Sequence, residues 1–200
     1  MNQILILASQ SPRRQQLLEQ LGYQFRCLPA NIDEAILAHE SAEQYVTRLA
    51  LAKAQCIANN QQNSNLVLGC DTSVVINQQV LGKPKNQADC FRLLGLLSGK
   101  VHQVLTAVSL VKADFSKTVL VTTEVKFKVL SHAEIKQYWL TGEPQDKAGA
   151  YGIQGIGGQF VKHIVGSYSA VVGLPLYQTV QLLNEFGLPS AMNLATLNRN

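Results

Sequence analysis

An unbroken apolar run, I-L-I-L-A at Ile4 to Ala8, leads straight into S-Q-S-P-R-R at Ser9 to Arg14. The run reads as a buried strand over residues 3–8, and the next segment reads as the start of a helix. Ser11 stands where an N-cap belongs. Pro12 stands at the first helical position, where its missing N–H costs nothing. Leu17, Leu18 and Leu21 make the apolar stripe, and Gly22 is the stop. Two adjacent arginines therefore fall at a helix N-terminus, where unpaired N–H groups and the positive end of the dipole already favour an anion.

Strand and helix patterns go on alternating. Tyr23 to Leu28 reads as a second strand, and S-A-E-Q at Ser41 is a capping box opening a helix towards Asn59. Val46, Leu49, Ala50, Lys53 and Ile57 recur on one face of it, so Lys53 interrupts an apolar stripe. Leu66 to Ile76 and Val80 to Leu81 suggest a hairpin turning at Asn77-Gln78-Gln79. Asn86 caps a further helix that ends near Gly99. Val101 to Val111 and Thr118 to Leu130 read as an antiparallel pair. S-H-A-E at Ser131 starts a helix through Leu140, and a glycine-rich stretch, Gly149 to Gly158, precedes a strand at Gln159 to Ile164. The last helix runs from Leu174 to Phe186, and residues 189–200 read as a loose tail. Hairpins among the alternating elements point to an α/β fold with a mixed sheet flanked by helices. Residues 1–188 are expected to form a single domain.

With 46% hydrophobic and 15% charged residues, the 200-residue chain can bury a core. A net charge of +4 favours an anionic ligand, yet no Lys/Arg run is long enough to follow a nucleic-acid backbone. Cys27, Cys56, Cys70 and Cys90 form no C-x-x-C pair, which speaks against zinc and for reduced thiols in the cytoplasm. The apolar start is too short for a membrane span and lacks the basic residues of a secretion signal.

Three segments can carry chemistry. Arg13 and Arg14, beside Ser9 and Ser11, offer planar forks for phosphate oxygens; the alternative is a solvated pair on a surface helix. In G-C-D-T-S-V-V, Asp71 lies among apolar and β-branched residues, where a carboxylate is costly unless paired or working. Lys53, Lys83 and Lys85 supply cations that suit either an anionic substrate or a plain salt bridge. The glycine-rich stretch is neither a dinucleotide fingerprint nor a P-loop. Its glycines turn a tight corner, or they bring backbone amides and Gln154 close to a flat ligand.

Taken in order, L-A-S-Q-S-P-R-R, G-C-D-T, G-K-P-K, D-K-A-G-A-Y-G-I-Q-G-I-G-G and V-V-G-L-P-L resemble the Maf family of nucleoside triphosphate pyrophosphatases. Thr72 and Gln154 resemble the branch that favours dTTP and UTP. The resemblance implies hydrolysis between the α- and β-phosphates, giving a nucleoside monophosphate and pyrophosphate. It also implies a divalent cation (magnesium or manganese), a strongly twisted, elongated sheet in two lobes around a cleft, and a homodimer. Asp71 matches the family's general base and Glu34 a carboxylate that assists the metal beside Asp71. Arg13, Thr72 and Gln154 match positions linked to substrate choice. Ser9, Arg14, Lys53 and Lys83 match the polar set on the phosphate side, with Lys53 and Lys83 counted with Asp71 in catalysis. The alternative is a non-catalytic, nucleotide-sensing regulator of septum formation.

Overall fold

A computed structural model describes residues 3–61, 65–190 and Met192. The chain divides into two compact units, Met1–Asp71 with Thr106–Leu120 and Gly173–Asn200, and Thr72–Leu105 with Val121–Val172. Seven strands make one mixed sheet in the order β2-β1-β3-β5-β6-β7, with β4 paired to β3. They are β1 (Leu5–Leu7), β2 (Phe25–Cys27), β3 (Leu66–Ile76), β4 (Gln79–Leu81), β5 (Val101–Lys112), β6 (Phe115–Phe127) and β7 (Val161–Val165). Strand β1 runs parallel to both β2 and β3, whereas β3–β4 and β6–β7 are antiparallel. The helices are α1 (Pro12–Gln20), α2 (Ala42–Ala58), α3 (Gln87–Leu97), α4 (His132–Leu140), α5 (Tyr168–Val172) and α6 (Leu176–Glu185). No helix among the described residues is long and apolar enough to cross a membrane.

Local chemistry explains most boundaries. Both capping boxes form: Ser41 accepts from the Gln44 N–H and Ser131 from the Glu134 N–H, and each partner side chain reaches back. The Asn86 side chain accepts from the Asp89 N–H, as a cap should. Ser11 has the extended backbone of an N-cap but makes no side-chain cap bond. Its own N–H donates instead to Ser9 Oγ at 3.1 Å. The β3–β4 turn is tighter than the sequence suggests. Asn77 and Gln78 alone take positive φ (50° and 64°), and Gln79 already pairs with Ile76. Strand β6 begins and ends three residues earlier than its β-branched run implies. Strand β7 is delayed by a 3₁₀ turn at Ile156–Phe160. Helix α5 is too short to show a period; the Ser167 hydroxyl caps it by accepting from the Ala170 N–H. Most of the expected tail lies outside the described residues.

In the first unit, α2 lies so close to β3 that the strand needs a glycine. A Cβ on Gly69 would sit 2.2 Å from the Ala50 carbonyl oxygen and 2.7 Å from the Ala54 nitrogen. Asp71, two residues on, shares that face of the strand, and Lys53 shares the face of α2 that holds Ala50 and Ala54. The close approach thus sets a lysine against an aspartate. In the second unit Phe127, Tyr138, Tyr151 and Phe160 anchor the core. His102 packs edge-on against Phe127 and Tyr151, with its Nε2 2.8 Å from the Tyr151 hydroxyl. Burial pushes the imidazole pKa down to about 4.

Gly69→Ala should destabilise the protein by about 3 kcal/mol in urea unfolding, because the obstruction is helix backbone and cannot turn aside. His102 stays neutral when folded and takes up a proton near its ordinary pKa when unfolded. Its contribution is therefore complete above about pH 6.5 and declines as pH falls towards about 4, by roughly 3 kcal/mol. Stability measured across that window should fall less steeply in His102→Gln than in the parent.

Candidate active site

Asp71 and Lys53 are 7% and 9% exposed, and Lys53 Nζ donates to Asp71 Oδ1 at 2.7 Å. The same ammonium lies 2.7 Å from Glu34 Oε1. Two carboxylates thus meet on one buried cation, and their summed charge exceeds it. Helix α2 supplies Lys53 and strand β3 supplies Asp71, whereas Glu34 comes from the loop before α2. That loop is held by the helix it leads into. The Tyr45 hydroxyl donates to the Glu34 carbonyl at 3.0 Å, and Arg48 pairs with Glu40 and donates to the Ala35 carbonyl. Burial raises the Tyr45 pKa, and the charges of Asp71 and Glu34 raise it further, which keeps the hydroxyl a donor.

The α1 N-terminus belongs to the same unit. Arg14 Nε donates to the Gly173 carbonyl at 2.9 Å, and its terminal nitrogen reaches Ser9 Oγ at a weak 3.4 Å. Cys70 Sγ donates to that carbonyl at 3.0 Å. Burial raises the Cys70 pKa above its ordinary value; the positive charges of Arg14 and Lys53 oppose that shift and the Asp71 charge adds to it, each by less. One thiol therefore feels the arginine, the carboxylate and the lysine together. Ser9, Arg14, Lys53, Glu34 and Asp71 share this unit, and Arg13 is half-buried beside Arg14 on α1. Part of the Arg14 fork is already engaged by backbone, so it is less a pure anion ligand than the sequence suggests.

Thr72, Lys83 and Gln154 fall in the second unit. Lys83 is exposed after β4, beside Gly82, whose carbonyl accepts from the Gly149 N–H at 3.0 Å. Gln154 is exposed at the tip of the glycine-rich loop. Sequence reasoning missed the group that organises this loop. Glu143 accepts from the Tyr138 hydroxyl at 2.7 Å, the Ile156 N–H at 2.7 Å and the Gly157 N–H at 3.0 Å. A carboxylate in G-E-P, just ahead of a run of glycines whose amides need acceptors, was the available signal.

Oxygen donors suit a hard divalent cation, and Glu34 and Asp71 bring two of them to a common point already occupied by positive charge. Among the described residues no group of three or more His, Cys, Asp or Glu converges. The pair matches an ion that completes its shell with water and phosphate oxygens.

Residues 4–186 match the family described as Maf-like protein. The chain belongs to that family. It is 57% identical over 196 residues to the protein of Colwellia psychrerythraea named dTTP/UTP pyrophosphatase, covering 96% of this chain and 92% of that one. A Pseudoalteromonas atlantica protein of the same name is 56% identical over 192 residues, covering 92% and 98%. Among solved structures the Maf-like chain is similar to the Staphylococcus aureus Ham1 protein, with a TM-score of 0.45 and 13% identity over 62% of this chain and 72% of that one.

The buried Lys53–Asp71 pair, with the exposed Glu34 at its edge, sets an asymmetric expectation for stability. Lys53→Met leaves two carboxylates facing each other without their cation and should cost about 3–5 kcal/mol. Asp71→Asn retains an oxygen for Lys53, and Glu34 still balances the ammonium, so its cost should be clearly smaller. Paired urea titrations would compare them; an equal loss would show that the triad is not what holds these groups in place.

Proposed function

We propose that this Maf-like protein is a nucleoside triphosphate pyrophosphatase that hydrolyses dTTP and UTP to the nucleoside monophosphate and pyrophosphate. The observation that carries the mechanism is Asp71, a buried carboxylate steadied through one oxygen by Lys53 and standing with Glu34 around a single positive point. The names of relatives more than half identical over nearly their full length support the reaction. They do not favour the regulator reading.

In this mechanism water attacks the α-phosphorus, and the bond from that phosphorus to the bridging oxygen breaks. Pyrophosphate leaves with the bridging oxygen. Asp71 takes the proton of the attacking water on Oδ2, since Lys53 holds Oδ1. Lys53 also keeps Glu34 close, so at this one point two carboxylates outweigh one ammonium, and a divalent cation arriving with the triphosphate would balance them. Glu34 and Asp71 would hold magnesium or manganese, which would neutralise phosphate charge and lower the pKa of a bound water.

Arg13, Arg14, Lys83 and the Ser9 hydroxyl take the phosphate oxygens. Each charge-assisted bond contributes about 1.5–3 kcal/mol where water is excluded, and much of that offsets desolvation. Only the part directed at charge developing on the α-phosphate and the departing pyrophosphate speeds the reaction. Gln154 reads the base, because a side-chain amide can donate to O4 and accept from N3–H of thymine or uracil. Thr72 belongs to the same substrate-selecting set. Action as a homodimer and a cytoplasmic location complete the proposal. Four free cysteines fit a reducing compartment.

Incubating the purified protein with magnesium and a panel of nucleoside triphosphates tests the reaction. dTTP and UTP should yield pyrophosphate with dTMP and UMP; release of orthophosphate, or no release at all, would refute it. Asp71→Asn should lower kcat by about 10²–10⁴-fold while nucleotide binding persists, which equilibrium dialysis would measure. Undiminished turnover in that variant would remove Asp71 as the base.

A further inference from the structure

We propose that Glu143 is a positioning residue that fixes the glycine-rich loop around Gln154 and so sets how tightly the enzyme holds its pyrimidine substrate. The proposal rests on the reading of Gln154 as the residue that contacts the base.

Glu143 begins a 3₁₀ turn (Glu143–Asp146) directly after Gly142, whose φ of 77° turns the chain out of α4. Its carboxylate takes no part in the Asp71 triad. Instead it gathers donors from the loop: Oε1 accepts from the Tyr138 hydroxyl and the Gly157 N–H, and Oε2 accepts from the Ile156 N–H. The Tyr138 oxygen in turn accepts from the Gly152 N–H at 3.2 Å. The backbone before Gln154 and the backbone after it are therefore tied to one glutamate–tyrosine pair.

Packing makes the tie tight. A Cβ on Gly155 would stand 2.3 Å from Glu143 Oε2, and one on Gly157 would stand 2.5 Å from the Tyr138 hydroxyl oxygen. Loop backbone rests directly on the two side chains, leaving no slack to absorb a change in either. The loop also closes on itself, since the Gly155 N–H donates to the Gly152 carbonyl and the Gly158 N–H to the Gly155 carbonyl. Gln154 stands at the head of this small, closely held turn, and its backbone has little freedom to wander.

A carboxylate is the acceptor this arrangement needs. Burial works to raise the Glu143 pKa, yet the Gly157, Tyr138 and Ile156 donors outweigh it and hold the pKa below the ordinary value. An amide in its place has only one acceptor oxygen and would turn an NH₂ towards an N–H that it cannot satisfy. Orienting Gln154 before the base arrives removes an ordering cost from binding, so loosening the loop should act on KM and spare the chemical step.

Glu143→Gln should raise KM for dTTP and UTP about tenfold and leave kcat within about twofold. A merely structural role would lower kcat and the fraction of active enzyme together. Gln154→Ala and the double variant complete a cycle. If Glu143 acts through Gln154, the double variant's KM is no higher than that of Gln154→Ala alone. An unchanged KM in Glu143→Gln, or multiplying effects in the double variant, would overturn the proposal. A parental KM in Gln154→Ala would overturn the underlying reading of the base contact instead. Should Glu143→Gln fail to fold by circular dichroism, Tyr138→Phe removes one donor from the carboxylate and must show the same split and the same non-additivity; without them the proposal falls.

Discussion

The triad of Glu34, Lys53 and Asp71 exists because helix backbone can press against strand backbone at Gly69. Any side chain there would meet the Ala50 carbonyl and push α2 outward. A small displacement at that crossing is enough to part an ammonium from a carboxylate held at 2.7 Å. Burying these charges is unfavourable by itself, and their mutual attraction compensates only when the geometry is good. The position of α2 on β3 is therefore what makes an ionised carboxylate tolerable among apolar neighbours. The proposed chemistry depends on that carboxylate.

Positive charge in the first unit has two uses. Arg14 spans from Ser9 to the Gly173 carbonyl, and Cys70 shares that carbonyl, so the guanidinium joins the α1 N-terminus to the segment entering α6. Lys53 does similar work for Glu34 and Asp71. Groups fixed in this way lose little freedom when a polyanion binds, which is the condition for stabilising charge as it develops in a transition state.

The glycine-rich stretch shows how a plain explanation and a functional one can both hold. Its glycines are required by steric fact, pressed against Glu143, Tyr138 and Val74. A turn so confined is also the place where a side chain can be aimed. Under the proposed base contact, the glycines serve Gln154 by serving the backbone first.

Much was legible in the chain itself. The capping residues at Ser41, Asn86 and Ser131 fix helix starts because cap and partner lie three residues apart, so sequence distance is spatial distance. The long apolar run at Leu66 to Ile76 marks a buried strand for the same local reason, and Asp71 stands out against it. Lys53 was visible as a polar break in an apolar helical stripe. None of those patterns says which carboxylate meets which ammonium, because Glu34, Lys53 and Asp71 come from three separate elements. Glu143 was invisible as an anchor because its donors lie 5 to 14 residues away, across a turn whose shape only packing decides. Local hydrogen bonding and periodicity determined the elements and singled out the unusual residues. Steric contact, of strand backbone on helix backbone at Gly69 and of loop backbone on the Glu143 side chain at Gly155, decided which of those residues came to touch.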